Sequence, residues 1–278
     1  MKSETIELEN GLSTRVIDTG GGGTPIVLVH GLANAIEIWG RVLPRLAKSF
    51  RVIAFDLPGF GEASRPDAAY DGAFFAAQVK ALLDRLGIER AHLVGNSLGA
   101  SAIVHFSGIG LGRIDRAVLA APGGFGRRTH WLMRIPALPL LGWWLGRPTP
   151  LNNRTTLRLA LHDRREATEE LIALTNRYAA IPGSHRSFVR TLREGVGLLG
   201  SKGRGEVERL AKRFDRPVLV LWGKQDRIFP TGQAARAAAL LPRSELQLID
   251  ACGHYPQWEQ PNAFAAAVER FLGTAAPA

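Results

Sequence analysis

A single cysteine, Cys252, stands in 278 residues. No disulfide can form within the chain, and the small disulfide-stapled folds are excluded. Long apolar runs are absent too. The longest candidate, Ile135 to Gly146, is broken by Pro136 and Pro139 and falls short of the ~20 residues that cross a bilayer. The N-terminus, Met1 to Glu7, lacks the apolar core of a secretory signal. A cytoplasmic location is the expectation. No His, Cys, Asp or Glu cluster has metal-ligand spacing. The run Gly20 to Gly23 lacks the lysine of a phosphate loop and reads as a linker. No metal and no other cofactor are expected.

What is present is enough apolar residue for a full core, 46% of the chain against 22% charged. Buried strands alternate with amphipathic helices. Thr5–Leu8 and Thr14–Asp18 read as a hairpin turned at Asn10-Gly11. Pro25–Val29, Arg51–Phe55, His92–Val94, Ile114–Leu119 and Pro217–Gly223 are continuous apolar runs, as in strands buried on both faces of a parallel sheet. Glu245–Ile249 is the last strand. Helices are expected over Trp39–Leu46, Phe74–Leu86, Ala234–Leu241 and Asn262–Leu272.

The chain is organised around Leu93-Val94-Gly95-Asn96-Ser97-Leu98-Gly99-Ala100. A strand enters it, a helix leaves it, and Gly-x-Ser-x-Gly lies between. Glycines at 95 and 99 let strand and helix approach, which leaves Ser97 exposed over the positive end of the helix dipole. A serine hydroxyl is a poor nucleophile without a base of near-neutral pKa, and the imidazolium so formed needs a carboxylate. His254 and Asp226 are the candidates. Each lies in a loop at the C-terminal end of a strand, where such loops meet. Two backbone N–H groups, of Leu98 at the helix N-terminus and of Leu32 after the first buried strand, are placed to hold an oxyanion, with Ala33 the second choice beside Leu32. His30 and Asp56 read as turn-stabilising residues, and Cys252 as a small buried filler.

The residues His30-Gly31, Asp56-Leu57-Pro58-Gly59-Phe60-Gly61, Gly95-Asn96-Ser97-Leu98-Gly99, Trp222-Gly223-x-x-Asp226 and Gly253-His254 together resemble the α/β-hydrolase superfamily, in the order Ser, Asp, His. The resemblance covers about Thr5 to Leu272. It implies a mostly parallel sheet of about eight strands flanked by helices, with an inserted helical lid. Residues 1–121 and 208–278 are then the core and 122–207 the lid. Gly95–Gly99 and Cys252–Glu259 are also similar to the carbon–carbon bond hydrolases of meta-cleavage products. In that group an aromatic residue follows the histidine and a lid arginine binds the substrate carboxylate. Tyr255, and Arg186 or Arg190, are the corresponding candidates, with Ala33 and Asn96 lining the same space. This sequence departs from the group in having tyrosine rather than tryptophan after the histidine, and Leu32-Ala33-Asn34 where a more glycine-rich segment is usual.

The lid carries the whole charge excess. The net charge is +10, and 18 Lys and Arg face 8 Asp and Glu between Gly123 and Arg216. Its apolar segment, with Trp143 and Trp144, is expected to cover the cleft and line an acyl pocket. Weak contact with a membrane surface through the basic lid is the sharper alternative. A nucleic-acid partner is not expected, because the arginines are scattered through an apolar segment without a binding motif. An inactive binding protein on the same fold is set aside because all three triad candidates are present. The expectation is a cofactor-free serine hydrolase acting on a carboxylic ester of short-to-medium apolar acyl chain. The alternative is a carbon–carbon bond hydrolase acting on a vinylogous diketone acid. Oligomeric state is left open.

Overall fold

The computed structural model describes residues 2–138, 141–197 and 200–273. Eight strands form one sheet: β1 (Glu4–Glu7), β2 (Ser13–Asp18), β3 (Ile26–Val29), β4 (Val52–Phe55), β5 (Ala91–Asn96), β6 (Ile114–Ala120), β7 (Val218–Gly223) and β8 (Ser244–Ile249). Their spatial order is β1-β2-β4-β3-β5-β6-β7-β8. β2 runs antiparallel to β1 and β4, and every other pairing is parallel. The expected hairpin, buried strands and closing strand all occur.

Alternation along the strands explains why their sequences are apolar without interruption. Val27 and Val29 point into one buried cluster, with Ile53, Phe55 and Leu93. Ile26 and Leu28 point into another, with Val52, Ala54 and Val94. A strand with helices on both faces has no polar side to keep. Helices α1 (Gly72–Arg85) and α2 (Leu98–Gly110) cover the first face, and α1 is capped by the Asp71 carboxylate on Phe74 N–H. Trp39 and the closing helix of Pro261–Gly273, through Phe264 and Val268, cover the second.

Between β6 and β7 the chain leaves the sheet. It forms α3 (Pro150–Ala160), α4 (Glu169–Ala179) and α5 (Ser184–Gly195), and then α6 (Arg204–Ala211). Leu157, Ala160, Leu161, Leu171 and Ile172 of this segment share the buried cluster of Trp39. A lid boundary between 207 and 208 would cut α6, whose Val207, Leu210 and Ala211 pack with Phe214 in the opposite core cluster. The apolar side of α6 is buried against the sheet's own covering helices, so the helix belongs with the core. The segment also holds the short helical turns Trp131–Ala137, Leu141–Leu145 and Arg164–Glu166, and its strands among the described residues are a two-residue pair, Val196–Gly197 with Gly200–Ser201. The sequence has a helical period from His185 to Leu199; the helix itself ends at Gly195, and Leu198 and Leu199 lie outside the described residues. The helix expected over Trp39–Leu46 is instead a 3-10 turn, Ile36–Trp39, and a single turn, Leu43–Leu46, on either side of Gly40. Among the described residues no helix is long and apolar enough to cross a membrane.

A buried ion cluster ties the inserted segment to the sheet. Arg15 of β2 bonds Asp56 (2.9 Å) and Glu37 (2.9 Å), and donates to the hydroxyl of Tyr178 in α4 at 2.9 Å. Tyr178 donates in turn to Glu37 at 2.7 Å. Burial, with the Glu37 carboxylate beside it, pushes the Tyr178 phenol up to about 12. Asp56 also accepts from the N–H groups of Ile36 and Glu62.

The close approach of α2 to the sheet is the tightest feature. A Cβ on Gly99 would lie 2.0 Å from the carbonyl oxygen of Val29, and one on Gly95 would lie 2.6 Å from the backbone of Ala100. Both obstacles are main chain and cannot rotate away. Gly99→Ala is expected to lower stability by about 1–3 kcal/mol, as overpacking of a rigid site does. Urea denaturation with an unchanged midpoint would contradict that reading.

Candidate active site

Ser97 sits between β5 and α2 with φ of 55° and ψ of −112°. A non-glycine residue in this region is strained, and the surrounding turn must hold it there. Ser97 N–H is fixed to Ala120 O of β6 at 2.8 Å. Leu98 opens α2, so its N–H is among the donors that a helix leaves without an internal partner. The loop after β3 comes in from the other side. A Cβ on Gly31 would stand 3.3 Å from Ser97 Cβ, so the Gly31-Leu32 turn lies directly against the serine. Ala33 follows in the left-handed region, with φ of 55°.

His254 and Asp226 come together as the sequence expects. Asp226 Oδ1 accepts from the N–H groups of Ile228 (2.8 Å) and Phe229 (3.0 Å). Its Oδ2 is left for His254 Nδ1 at 2.8 Å. Both side chains are buried. An acceptor-only carboxylate makes Nδ1 the protonated nitrogen, so Nε2 carries the lone pair. The imidazole packs edge-on to Phe229 and beside Tyr255. Asn96 Nδ2 donates to the carbonyls of Ala120 (3.3 Å) and His254 (3.0 Å), so the residue before the serine holds the backbone of the histidine. No hydrogen bond joins Ser97 Oγ to His254 Nε2 among the described residues. Such bonds commonly tighten only with substrate in place.

Other sequence candidates resolve clearly. His30 is fully buried, with Nδ1 on Gly31 O and Nε2 accepting from Leu57 N–H. Burial holds its pKa below the usual histidine value, and it ties two turns together. Burial pushes the Cys252 thiol up, away from reactivity. Among the described residues no group of three or more His, Cys, Asp or Glu could hold a metal.

The expected pocket residues need correction. A cavity between core and insertion is lined by Ala33, Phe60, Arg65, Met133, Ile135, Leu145, Arg147, Thr175, Tyr178 and Phe188, among others. It contains none of the three triad candidates; Ala33, two residues after the Gly31 that abuts Ser97, is in its wall. Trp143 does not line it; its ring lies 4.1 Å from that of His185 on the outside. Arg186 donates to Arg65 O at 3.0 Å, and Arg190 bonds Asp67 and Ala68 O. Helix geometry gives the reason. Ser184 and Phe188 of α5 face the cavity, and positions two residues on lie about 200° around the helix. Tyr255 is buried beside the histidine, bonded to Asn34, and Asn96 is committed to backbone.

One functional neighbour was missed. Glu259, five residues after His254, accepts from Gly253 N–H (2.9 Å) and from His162 N–H in the insertion (2.6 Å). His254 N–H itself donates to Ala160 O at 2.7 Å. The histidine loop is thus pinned to the segment after α3 by both contacts. The glutamate at this spacing was the available signal. Burial raises its carboxyl from 4.5 to about 7, against the backbone donors that favour charge. The folded protein therefore holds this proton to higher pH than the unfolded chain. The contribution to stability is present below about pH 4.5 and is lost as pH rises toward 7. Glu259→Gln is expected to remove that part of the decline in denaturation free energy with pH. An identical pH slope in the variant would contradict the assignment.

Comparison with known proteins agrees with this geometry. The sequence profile described as alpha/beta hydrolase fold matches residues 24–261. A 2-hydroxy-6-oxononadienedioate/2-hydroxy-6-oxononatrienedioate hydrolase of Paraburkholderia phymatum is 32% identical over 274 residues, 96% of this chain and 93% of that protein. A 2-hydroxymuconate semialdehyde hydrolase of Pseudomonas sp. strain CF600 is 31% identical over 270 residues, 95% of this chain and 92% of that protein. The solved structure of a meta-cleavage product hydrolase from Pseudomonas fluorescens IP01 superimposes with a TM-score of 0.80 at 28% identity, covering 97% of each chain. With its strand order, serine turn and buried Asp–His pair all in place, the chain belongs to the alpha/beta hydrolase fold family.

Proposed function

We propose that this hydrolase cleaves a carbon–carbon bond beside a ketone in a vinylogous diketone acid, through an acyl-enzyme on Ser97. The observation that carries it is the Asp226–His254 pair, at 2.8 Å, beside a Gly-Asn-Ser-Leu-Gly turn, in a chain similar over nearly its whole length to hydrolases named for such dienoates. This reading reverses the order of preference that the sequence suggests, where ester hydrolysis stands first.

The steps follow from the groups present. His254 Nε2 takes the Ser97 proton as Oγ adds to the ketone carbon. The oxyanion takes the N–H groups of Leu32 and Leu98. Collapse breaks the carbon–carbon bond, and its electron pair passes into the conjugated keto acid. The departing carbon takes the proton from His254. Water, deprotonated by the same histidine, then releases a carboxylic acid and restores Ser97. Asp226 keeps the imidazole in one tautomer throughout.

A carboxylate anchor is needed. Arg190 is paired with Asp67 and bonded to Ala68 O, and Arg186, which gives one hydrogen bond to Arg65 O, lies on the side of α5 away from Ser184 and Phe188. Arg65 lines the cavity with each of its three nitrogens already bonded once, to Ser184 Oγ, Ala63 O and Gly61 O. Arg147 also lines it. Its guanidinium rests on the Trp144 ring at 3.8 Å and has no hydrogen-bond partner among the described residues. Arg147 is the anchor in this account. Ester hydrolysis is the second reading, favoured by the outward placement of the two α5 arginines. The same atoms would serve it, with His254 protonating an alkoxide.

A paired assay separates them, setting a meta-cleavage dienoate beside p-nitrophenyl esters from acetate to decanoate. The expected result is faster dienoate turnover, lost in Ser97→Ala. Arg147→Ala is expected to raise KM about tenfold or more, the value of a charge-assisted hydrogen bond. An inert dienoate with rapid ester turnover would overturn the carbon–carbon reading.

A further inference from the structure

From Arg116 to His162 the sequence contains no Asp or Glu and seven arginines. The same stretch holds most of the large apolar side chains that the molecule exposes. Trp131 is 63% exposed, Trp144 60% and Leu151 72%, with Leu141, Trp143 and Leu145 beside them. The other such residues among those described are on other elements: Ile109 on α2, and the pair Leu246 and Leu248 on β8.

These residues belong to one compact unit. The turns of Trp131–Ala137 and Leu141–Leu145 pack on each other, with Gly142 N–H bonded to Leu138 O. Cations surround it. Arg127 and Arg128 are exposed just before Trp131. Arg193 donates to Pro136 O at 3.0 Å, and Arg158 is exposed on α3. Nearby carboxylates are few. Glu169 is paired with Arg154, and Glu194 adjoins Arg193. A soluble surface rarely keeps so many adjacent apolar groups uncovered. Tryptophan and leucine set among arginines, with acid excluded from the whole stretch, is the composition of a face that sits at a lipid–water boundary.

We propose that this face of the inserted segment docks on an anionic lipid surface. The tryptophan and leucine side chains enter the headgroup layer while the arginines meet lipid phosphates. Docking has a direct consequence for the site, because Leu132, Met133, Ile135 and Leu145 of the same unit line the cavity on its inner side. A substrate whose apolar part is held in the lipid would then reach the cavity without crossing bulk water. The inference goes beyond the proposed reaction and is independent of which bond is cleaved.

The test is cosedimentation of the full chain with vesicles, using Ser97→Ala so that turnover plays no part. Phosphatidylglycerol vesicles at low salt are compared with phosphatidylcholine vesicles. Binding to the anionic vesicles, weakened by salt, is expected. Trp131→Ser/Trp144→Ser/Leu151→Ser is expected to weaken it at least about tenfold. Arg127→Glu/Arg128→Glu/Arg158→Glu is expected to weaken it and to flatten the salt dependence. Far-ultraviolet circular dichroism checks that both variants are folded. Absence of binding to anionic vesicles, equal binding to both lipids, or binding unchanged in the apolar variant would each overturn the proposal. A concentration-dependent dimer that the apolar variant abolishes, without vesicle binding, would assign the face to a second copy of the chain instead.

Discussion

The contact on which the rest of this molecule depends is that of Gly99 with the Val29 carbonyl. Helix α2 must touch the end of β3 for the chain to reverse at Ser97, and no side chain fits between them. That approach forces Ser97 into the left-handed region and leaves Leu98 N–H at the start of the helix. It also brings the Gly31-Leu32 turn against the serine. One backbone contact therefore sets the proposed nucleophile and both proposed oxyanion donors. The sheet then fixes the remaining parts, because β7 and β8 end on the same edge and carry Asp226 and His254 in their loops.

The insertion holds the loop of His254, the proposed base, as well as covering the core. His254 N–H donates to Ala160 O, and the Glu259 carboxylate bridges the backbones of Gly253 and His162. At the other side, Tyr178 joins Arg15 and Glu37. Breaking either connection would leave buried groups without partners, and that costs more than the bond itself contributes. Any movement of the insertion is thereby coupled to the histidine loop.

The sheet was legible in the sequence because a strand buried on both faces has no alternative to continuous apolar residues. Val27 and Ile26 serve opposite cores, and both had to be apolar. The triad candidates were legible because the chemistry admits few residue types and the strand ends admit few positions. The insertion was harder to read. Whether an arginine on α5 faces a cavity or a loop depends on the rotation of the helix against its neighbours, and that rotation is a tertiary fact. Arg186 and Arg190 share a face, as the spacing requires, but it is the face toward Asp67. The boundary expected between 207 and 208 fails for the same reason, since it cuts a helix whose buried side belongs to the core. Glu259 was visible but had no evident task until the backbone of His162 stood beside it.

The central claim is that Ser97 is a nucleophile activated by His254, which Asp226 orients. Mass spectrometry of the protein after treatment with a fluorophosphonate tests it most directly. A single adduct on the peptide containing Ser97, formed rapidly in the parent chain and slowed by orders of magnitude in His254→Ala, is the result this account predicts. An unlabelled Ser97, or labelling that is indifferent to His254, would contradict it.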